Sequence, residues 1–187
     1  MAPIKPVNPF IISAAASGQK ARTTAAMRRR LKLRKEIWPD FEESMLWRRA
    51  DFVGFTTVPR TMPIIIRIIN SLDKKSAGSV YFELWCRAFD DFLVEVKDEY
   101  ECAFSAGYEG QRAVRTWRER VEVLEKFGFV WTKKAPHGAY RYVLMLDPHI
   151  IIEKLKGEGK ISELEDLALK TQLISIGGGT RDQSDKT

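Results

Sequence analysis

The sequence predicts a mainly α-helical fold that carries one small β-hairpin, and three observations predict it. Apolar residues recur at helical spacing in several separate stretches, most cleanly at Val114, Trp117, Val121 and Leu124. Strand-like runs occur only over residues 92–96 and 129–146, the second interrupted by Pro136 and Gly138. The chain has 187 residues, of which 44% are hydrophobic, enough for one core with tails.

Taken in chain order, residues 1–40 read as a disordered basic arm. The first 20 are rich in Pro, Ala and Ser, basic residues cluster over 28–35, and the first acid is Glu36. Two readings of this arm stand side by side: an organelle targeting segment, or a phosphate-binding arm that uses Arg28, Arg29 and Arg30. Residues 41–60 mix Phe41, Trp47, Phe52 and Phe55 with charges and are expected to pack as an extension on the main domain. Thr61 and Pro63 have the form of a helix start. The helix over 63–72 is apolar on almost every side, so it requires cover from the domain or from a second subunit.

A helix over 79–91 is predicted with one apolar face of Phe82, Trp85, Cys86 and Phe89, which puts Cys86 in the core. A short strand follows at 92–96. Asp98 is a plausible cap for a helix over 99–106 that Gly107 ends, and Gly128 ends the next helix, 111–127. Strands at 129–133 and 139–146 form the hairpin, and Trp131, Tyr140 and Tyr142 are expected to pack it onto the helices rather than to stack on bases. Pro148 opens a helix to about 156, and Gly157 and Gly159 make a hinge. A C-terminal helical segment, 157–176, is predicted helical over 162–174 with Leu164, Leu167, Ala168 and Leu173 on its apolar side. Residues 177–187 read as a disordered tail.

The net charge of +6 is unevenly placed. Residues 1–60 carry 12 basic and 5 acidic side chains, and residues 111–142 carry 8 and 3; the blocks between and after them are net acidic. Two focused basic blocks point to a polyanionic partner, most commonly nucleic acid.

Several function classes find no support. No apolar run approaches the roughly 18 residues of a membrane span. Two cysteines and two histidines, widely spread, give neither a disulfide framework nor zinc spacing and suit a reducing, cytoplasmic setting. No hydrolase, metalloprotease, phosphate-loop or dinucleotide motif occurs. The pair Asp90-Asp91 does not converge on a metal, because adjacent helical residues point about 100° apart. Cys102 stands beside Glu99 and Glu101, which disfavours a thiolate. No enzyme activity, cofactor or metal is therefore expected.

The order helix, strand, helix, helix, hairpin over residues 61–156 resembles a winged helix-turn-helix domain. Its centre is Ala103 and Gly107: a small residue where the second helix crosses, then a glycine for a left-handed turn four positions on. Val114 and Trp117 fall one residue late for the tightest form of the motif, so the turn is longer. The strings 59–63, 83–87 and 110–117 are also similar to winged-helix proteins of bacterial genomes and plasmids.

That resemblance implies a sequence-specific double-stranded-DNA-binding protein, a transcriptional regulator or a plasmid replication or maintenance factor, working at the nucleoid as a homodimer. Helix 111–127 would be the reader. Gln111, Arg112, Arg115 and Thr116 lie opposite its apolar stripe, with Arg118 at the flank; Arg can bond guanine bidentately and Gln adenine. Glu119 either restrains Arg115 across one helical turn or reads a cytosine. Lys133, Lys134, His137 and Arg141 would hold a flanking phosphate or the minor groove from the wing. The alternative function is a winged helix that mediates protein contacts within a larger nucleoprotein assembly.

Overall fold

A computed structural model describes residues 25–136 and 140–175. The chain divides after Phe55 into two compact units.

In the first unit, Ala25–Ile37 form helix α1. This corrects the expectation of a disordered arm through residue 40. Ala, Met, Leu, Arg and Lys are strong helix formers, no Gly or Pro interrupts them, and Lys32 and Glu36 pair across one turn at 3.8 Å. Pro39 stops the helix by disfavouring helical backbone at Trp38. Two 3-10 turns follow, Glu43–Met45 and Arg49–Asp51. Arg34 ties α1 to the first of them, reaching Glu43 at 2.6 Å with its guanidinium 4.9 Å from the Phe41 ring. None of residues 27–55 is buried. The segment expected as one extension, 41–60, is split by the unit boundary.

The second unit is mainly helical with a small three-stranded antiparallel sheet. Helix α2, Met62–Ser71, buries Met62, Ile65, Ile68 and Ile69, one stripe at spacings of three, three and one. Thr61 does not cap it; the Thr61 hydroxyl instead meets His149 Nε2 at 3.0 Å. The close approach of α3, Gly78–Arg87, to α2 requires the glycine. A Cβ at Gly78 would lie 2.7 Å from Asn70 Oδ1 and Ile66 Cγ2, and the Gly78 N–H donates to that same Asn70 oxygen.

Fixed in this way, α3 buries Val80, Tyr81, Leu84 and Trp85. The predicted face is therefore rotated: Phe82 and Cys86 are exposed, and Phe89 lies beyond the helix end and is exposed as well. Both stripes are aromatic and share Trp85, which is buried as predicted; contact with α2, α4 and α5 selects between them.

Strands β1 (Leu93–Glu95), β2 (Val130–Lys134) and β3 (Tyr140–Met145) pair in the order β1-β3-β2. Val94, Val143 and Thr132 stand in register on the inner face; Leu93, Leu144 and Trp131 stand in register on the outer one. Between β1 and β2 come α4 (Glu99–Ser105) and α5 (Ala113–Lys126). The core is aromatic at its centre: Trp117 packs edge-on against Tyr140 at 5.9 Å, and Tyr81 against Phe129 at 5.7 Å. Trp131 and Tyr142, expected to join this core, are exposed instead, because strand alternation turns both outward.

Helix α6, Pro148–Gly157, is capped by Asp147, which accepts from the His149 N–H. Residues 158–162 are irregular, and within the predicted segment 157–176 helix α7, Glu163–Ser175, matches the expected 162–174 to within a residue. A capping box starts it: Ser162 Oγ and N–H donate to Glu165 Oε2 at 2.6 and 3.1 Å, and the Glu165 N–H returns a bond to Ser162 Oγ. Burial opposes ionisation of Glu165, but the Ser162 and Ser71 hydroxyls outweigh it and hold the carboxyl below its usual range. The box sets the rotation of α7. Leu169 is buried, and Leu164 and Leu167, predicted inward, are exposed.

Helix α7 packs on α2, as does α3. The apolar α2 is thus covered within its own chain, and the need for a second subunit at that helix disappears. Residues 1–24 and the tail predicted at 177–187 lie outside the described residues.

Burial pushes the Glu83 carboxyl up, against the opposing pull of Arg87, where α3 meets Trp117 and Cys102. A raised folded-state value contributes stability below the ordinary carboxylate range, and that contribution is lost as pH rises through the raised value. Asp73, Glu119 and Asp166 are shifted down and act with the opposite sign. Urea melts from about pH 4 to 8 should show the stability of wild type relative to Glu83→Gln falling as pH increases.

Gly107 has φ +90° with open space around its missing Cβ, so Gly107→Ala carries backbone strain alone. It should cost about 1–2 kcal/mol in the same melts, and Gly107→Asn less.

Candidate nucleic-acid interface

The candidate interface comprises α4, the start of α5 and the hairpin. Asp98 caps α4 by accepting from the Tyr100 and Glu101 N–H groups. Ala103 is buried where α5 crosses, and Gly107 takes the left-handed turn, as the spacing requires. The turn is long, with a second left-handed glycine at Gly110, φ +78°. As a consequence α5 begins at Ala113, not at 111. Gln111 and Arg112 stand just before the first turn, with the Arg112 carbonyl accepting from the Thr116 N–H at 2.8 Å.

Helix α5 buries Ala113, Trp117, Val121, Val123 and Leu124, and leaves Val114 half-buried. Its first turn holds no acid, so the unpaired N–H groups at its start present an uncompensated positive pole. Gln111 and Arg112 are exposed, and Arg112 has no ion-pair partner among the described residues. Arg115 is exposed and donates to Glu119 Oε1 at 3.1 Å, so the i, i+4 restraint is present. Glu119 is also held by Lys75 at 3.2 Å and by Arg120 at 3.4 Å. Lys75 first and Arg115 second keep its carboxyl below the usual range, so its charge is largely neutralised in place. Thr116 is half-buried.

Arg118 is committed elsewhere. Its guanidinium grips Glu99 through Nε at 3.0 Å and through a terminal nitrogen, while the other Glu99 oxygen accepts the Tyr140 N–H at 2.9 Å. One carboxylate thus joins α4, α5 and β3. A groove of about 400 Å³ opens alongside, lined by Lys97, Tyr100, Val114, Ala135 and Arg141 among others. It places the first turn of α5 next to the loop end of the hairpin.

Lys133 and Lys134 are exposed at the end of β2, where the pairing is irregular. Lys134 lies 5.0 Å from the Tyr140 ring. Arg141 is paired with Glu95 at 2.6 Å. His137 lies outside the described residues. Arg28, Arg29 and Arg30 are exposed on α1, in the other unit. Of the basic side chains singled out in the sequence, Arg112, Lys133 and Lys134 are therefore the ones at this interface without an acidic partner among the described residues. Sequence reasoning passed over Lys97, Lys75 and the joining role of Glu99. The placement of Lys97, between a strand and a helix cap, was a usable sign; Lys75 and Glu99 act across long sequence separations.

Elsewhere, Thr61, His149 and Asp147 line up, with His149 Nδ1 3.3 Å from Asp147 Oδ1. Thr61 is only 2% exposed, so its hydroxyl is sealed from any substrate, and the arrangement ties α6 to the start of α2. Burial first, and then the charge of Glu83, pushes the Cys102 thiol up to about 12. Cys86, although exposed, is shifted up as well, by partial burial and by Glu83. Neither sulfur is poised as a thiolate. Asp91 accepts from the Leu93 N–H at 3.2 Å in a turn, and no cluster with metal-binding capacity occurs among the described residues. Nor, among them, is any helix long and apolar enough to cross a membrane.

No protein-family model, no curated protein and no solved structure matches the chain.

Removing the Glu99 carboxylate strips the Tyr140 N–H and Arg118 of their acceptor at once. Glu99→Ala should cost about 2–3 kcal/mol in urea unfolding, and Glu99→Gln, which keeps an acceptor, should cost less. Unchanged stability in Glu99→Ala would mean that the hairpin is held by its core contacts alone.

Proposed function

We propose that residues 61–156 form a winged helix-turn-helix that binds double-stranded DNA sequence-specifically, as a transcriptional regulator or a plasmid replication or maintenance factor. The observation that carries this is the juxtaposition at one groove. Val114 in the acid-free first turn of α5, just after the exposed Gln111 and Arg112, shares a groove with Ala135, Tyr140 and Arg141 at the loop end of the hairpin, where Lys133 and Lys134 are exposed. A helix N-terminus that carries Arg and Gln is the part of a reader that reaches base edges, and a basic hairpin beside it is placed to hold the flanking backbone. Arg112 is the principal reader. Arg115 contributes once DNA competes with Glu119 for its guanidinium. Arg118 and Arg141 act as supports, through Glu99 and Glu95. The basic helix α1, with Arg28, Arg29 and Arg30, adds phosphate contacts, and no cofactor or metal is required.

A second reading is a protein-contact module within a nucleoprotein assembly. The exposed Leu164, Leu167 and Ile174 of α7 favour it, since they lie on one side of that helix. The same stripe is where two copies would pair to read two half-sites.

Duplex titrations test the proposal. If about six phosphates are contacted, log K should fall against log salt with a slope of about −5. Arg112→Ala should reduce the preference for the footprinted site over scrambled duplex by about 1–3 kcal/mol. Neutralising Arg28, Arg29 and Arg30 should weaken all sequences alike and flatten the salt slope. Footprints at discrete palindromic sites are the expected genomic pattern. No retention of any duplex at low salt, or full specificity in Arg112→Ala, would remove α5 as the reader and favour the assembly module.

A further inference from the structure

We propose that the outer face of the three-stranded sheet is a stacking platform for the bases of single-stranded DNA, with Trp131 and Tyr142 as its rings. Both side chains point away from the core, at 62% and 41% exposure. The register places Trp131 opposite Leu144 and Lys133 opposite Tyr142, so the two rings are diagonal neighbours on adjacent strands. Such neighbours are about 7–8 Å apart along the backbone, comparable with the spacing of successive bases on an extended strand. Leu93 and Leu144 continue the Trp131 row across β1 and β3, which gives a flat apolar strip on which a base face can lie.

The charge around the strip selects the occupant. Lys133 stands in the outward row of β2, with the exposed Lys134 next to it at the strand end, and the exposed Lys97 follows β1 in a bend. Arg141 lies 5.7 Å from the Tyr142 ring and neutralises Glu95, the acid of the outward rows. Exposed aromatic rings beside Lys133, which has no acidic partner among the described residues, match a polyanion whose monomers carry π faces. Stacking is tolerant of sequence, because every base has such a face. A protein surface of ordinary composition would meet the same lysines without a matching phosphate row.

The choice of DNA over RNA rests on the duplex-binding reading, since the hairpin contributes to both surfaces and a strand opened next to the bound duplex would reach the sheet first. The stacking chemistry itself does not depend on α5.

Fluorescence anisotropy with labelled oligonucleotides on the full chain tests this. A 15-nucleotide dT strand should bind, and Trp131→Ala should weaken it about 10-fold or more, with a smaller loss for Tyr142→Ala. Trp131→Phe should recover most of the affinity, which loss of fold would not allow. Lys133→Ala should lower the salt slope by about 0.7. Duplex binding and its dependence on Arg112 should change less than twofold in Trp131→Ala.

Absence of dT binding overturns the platform, as does equal affinity for wild type and Trp131→Ala. A 15-nucleotide rU strand that binds more tightly than dT overturns the assignment to DNA. Sedimentation that shows a wild-type dimer abolished by Trp131→Ala assigns the face to a second copy and overturns it too. Retained dT binding with duplex binding lost would leave the platform standing and remove the α5 reader alone.

Discussion

The carboxylate of Glu99 is the point on which the proposed interface turns. It sits in the first turn of α4, accepts from Arg118 on α5 and accepts the backbone N–H of Tyr140 where β3 begins. Three elements distant in sequence are thereby held by one group that is itself largely sheltered from water. Shelter strengthens each of these bonds and raises the cost of leaving any of them unmade. The angle between α5 and the hairpin, and so the width of the groove between them, follows from that junction. Asp98 supports it from the preceding position by fixing the start of α4, and the Trp117–Tyr140 contact supports it from the core side.

Around that junction the charges are sorted by whether they have partners. Arg118, Arg141 and Arg115 each face a carboxylate one helical turn away or across an element boundary, whereas Arg112, Lys133 and Lys134 do not. A paired guanidinium spends its hydrogen bonds inside the protein and shapes the surface; an unpaired one is available to a ligand. The sequence shows a single basic block over residues 111–142, and the fold separates it into a supporting set and a presenting set. The presenting set adjoins Val114 and Ala135, which line one groove from the side of α5 and from the hairpin loop. The outward rows of the sheet then carry aromatic rings next to Lys133, whereas Lys134 lies against the Tyr140 ring.

The second unit is self-sufficient at its most apolar helix. The α2 stripe of Met62, Ile65, Ile68 and Ile69 is covered by α3 on one side and by α7 on another. The α7 contact depends on the Ser162–Glu165 capping box, which rotates Leu169 inward and leaves Leu164 and Leu167 to solvent. The first unit differs in kind: it has α1 and two short turns held by ion pairs and ring contacts, with no buried residue over 27–55.

The sequence by itself determined the element order from residue 61 onward, the Asp98 cap, the left-handed turn at Gly107, the stripe of Trp117, Val121 and Leu124, and the Arg115–Glu119 restraint. All of these act within a few residues, where backbone geometry and the 3.6-residue period leave little freedom. The helix at Ala25–Ile37 was also legible in its composition, but its charge pointed towards disorder, and propensity with an i, i+4 pair prevailed. Only the tertiary structure decided which of two aromatic stripes on α3 faces inward, because both satisfy the same period and the close contact at Gly78 makes the choice. It alone decided that α7 covers α2, that Trp131 and Tyr142 point outward, and that Glu99 joins Arg118 to the hairpin. The Glu99 junction depends on partners 19 and 41 positions away, and a local pattern carries no information about a neighbour that only folding supplies.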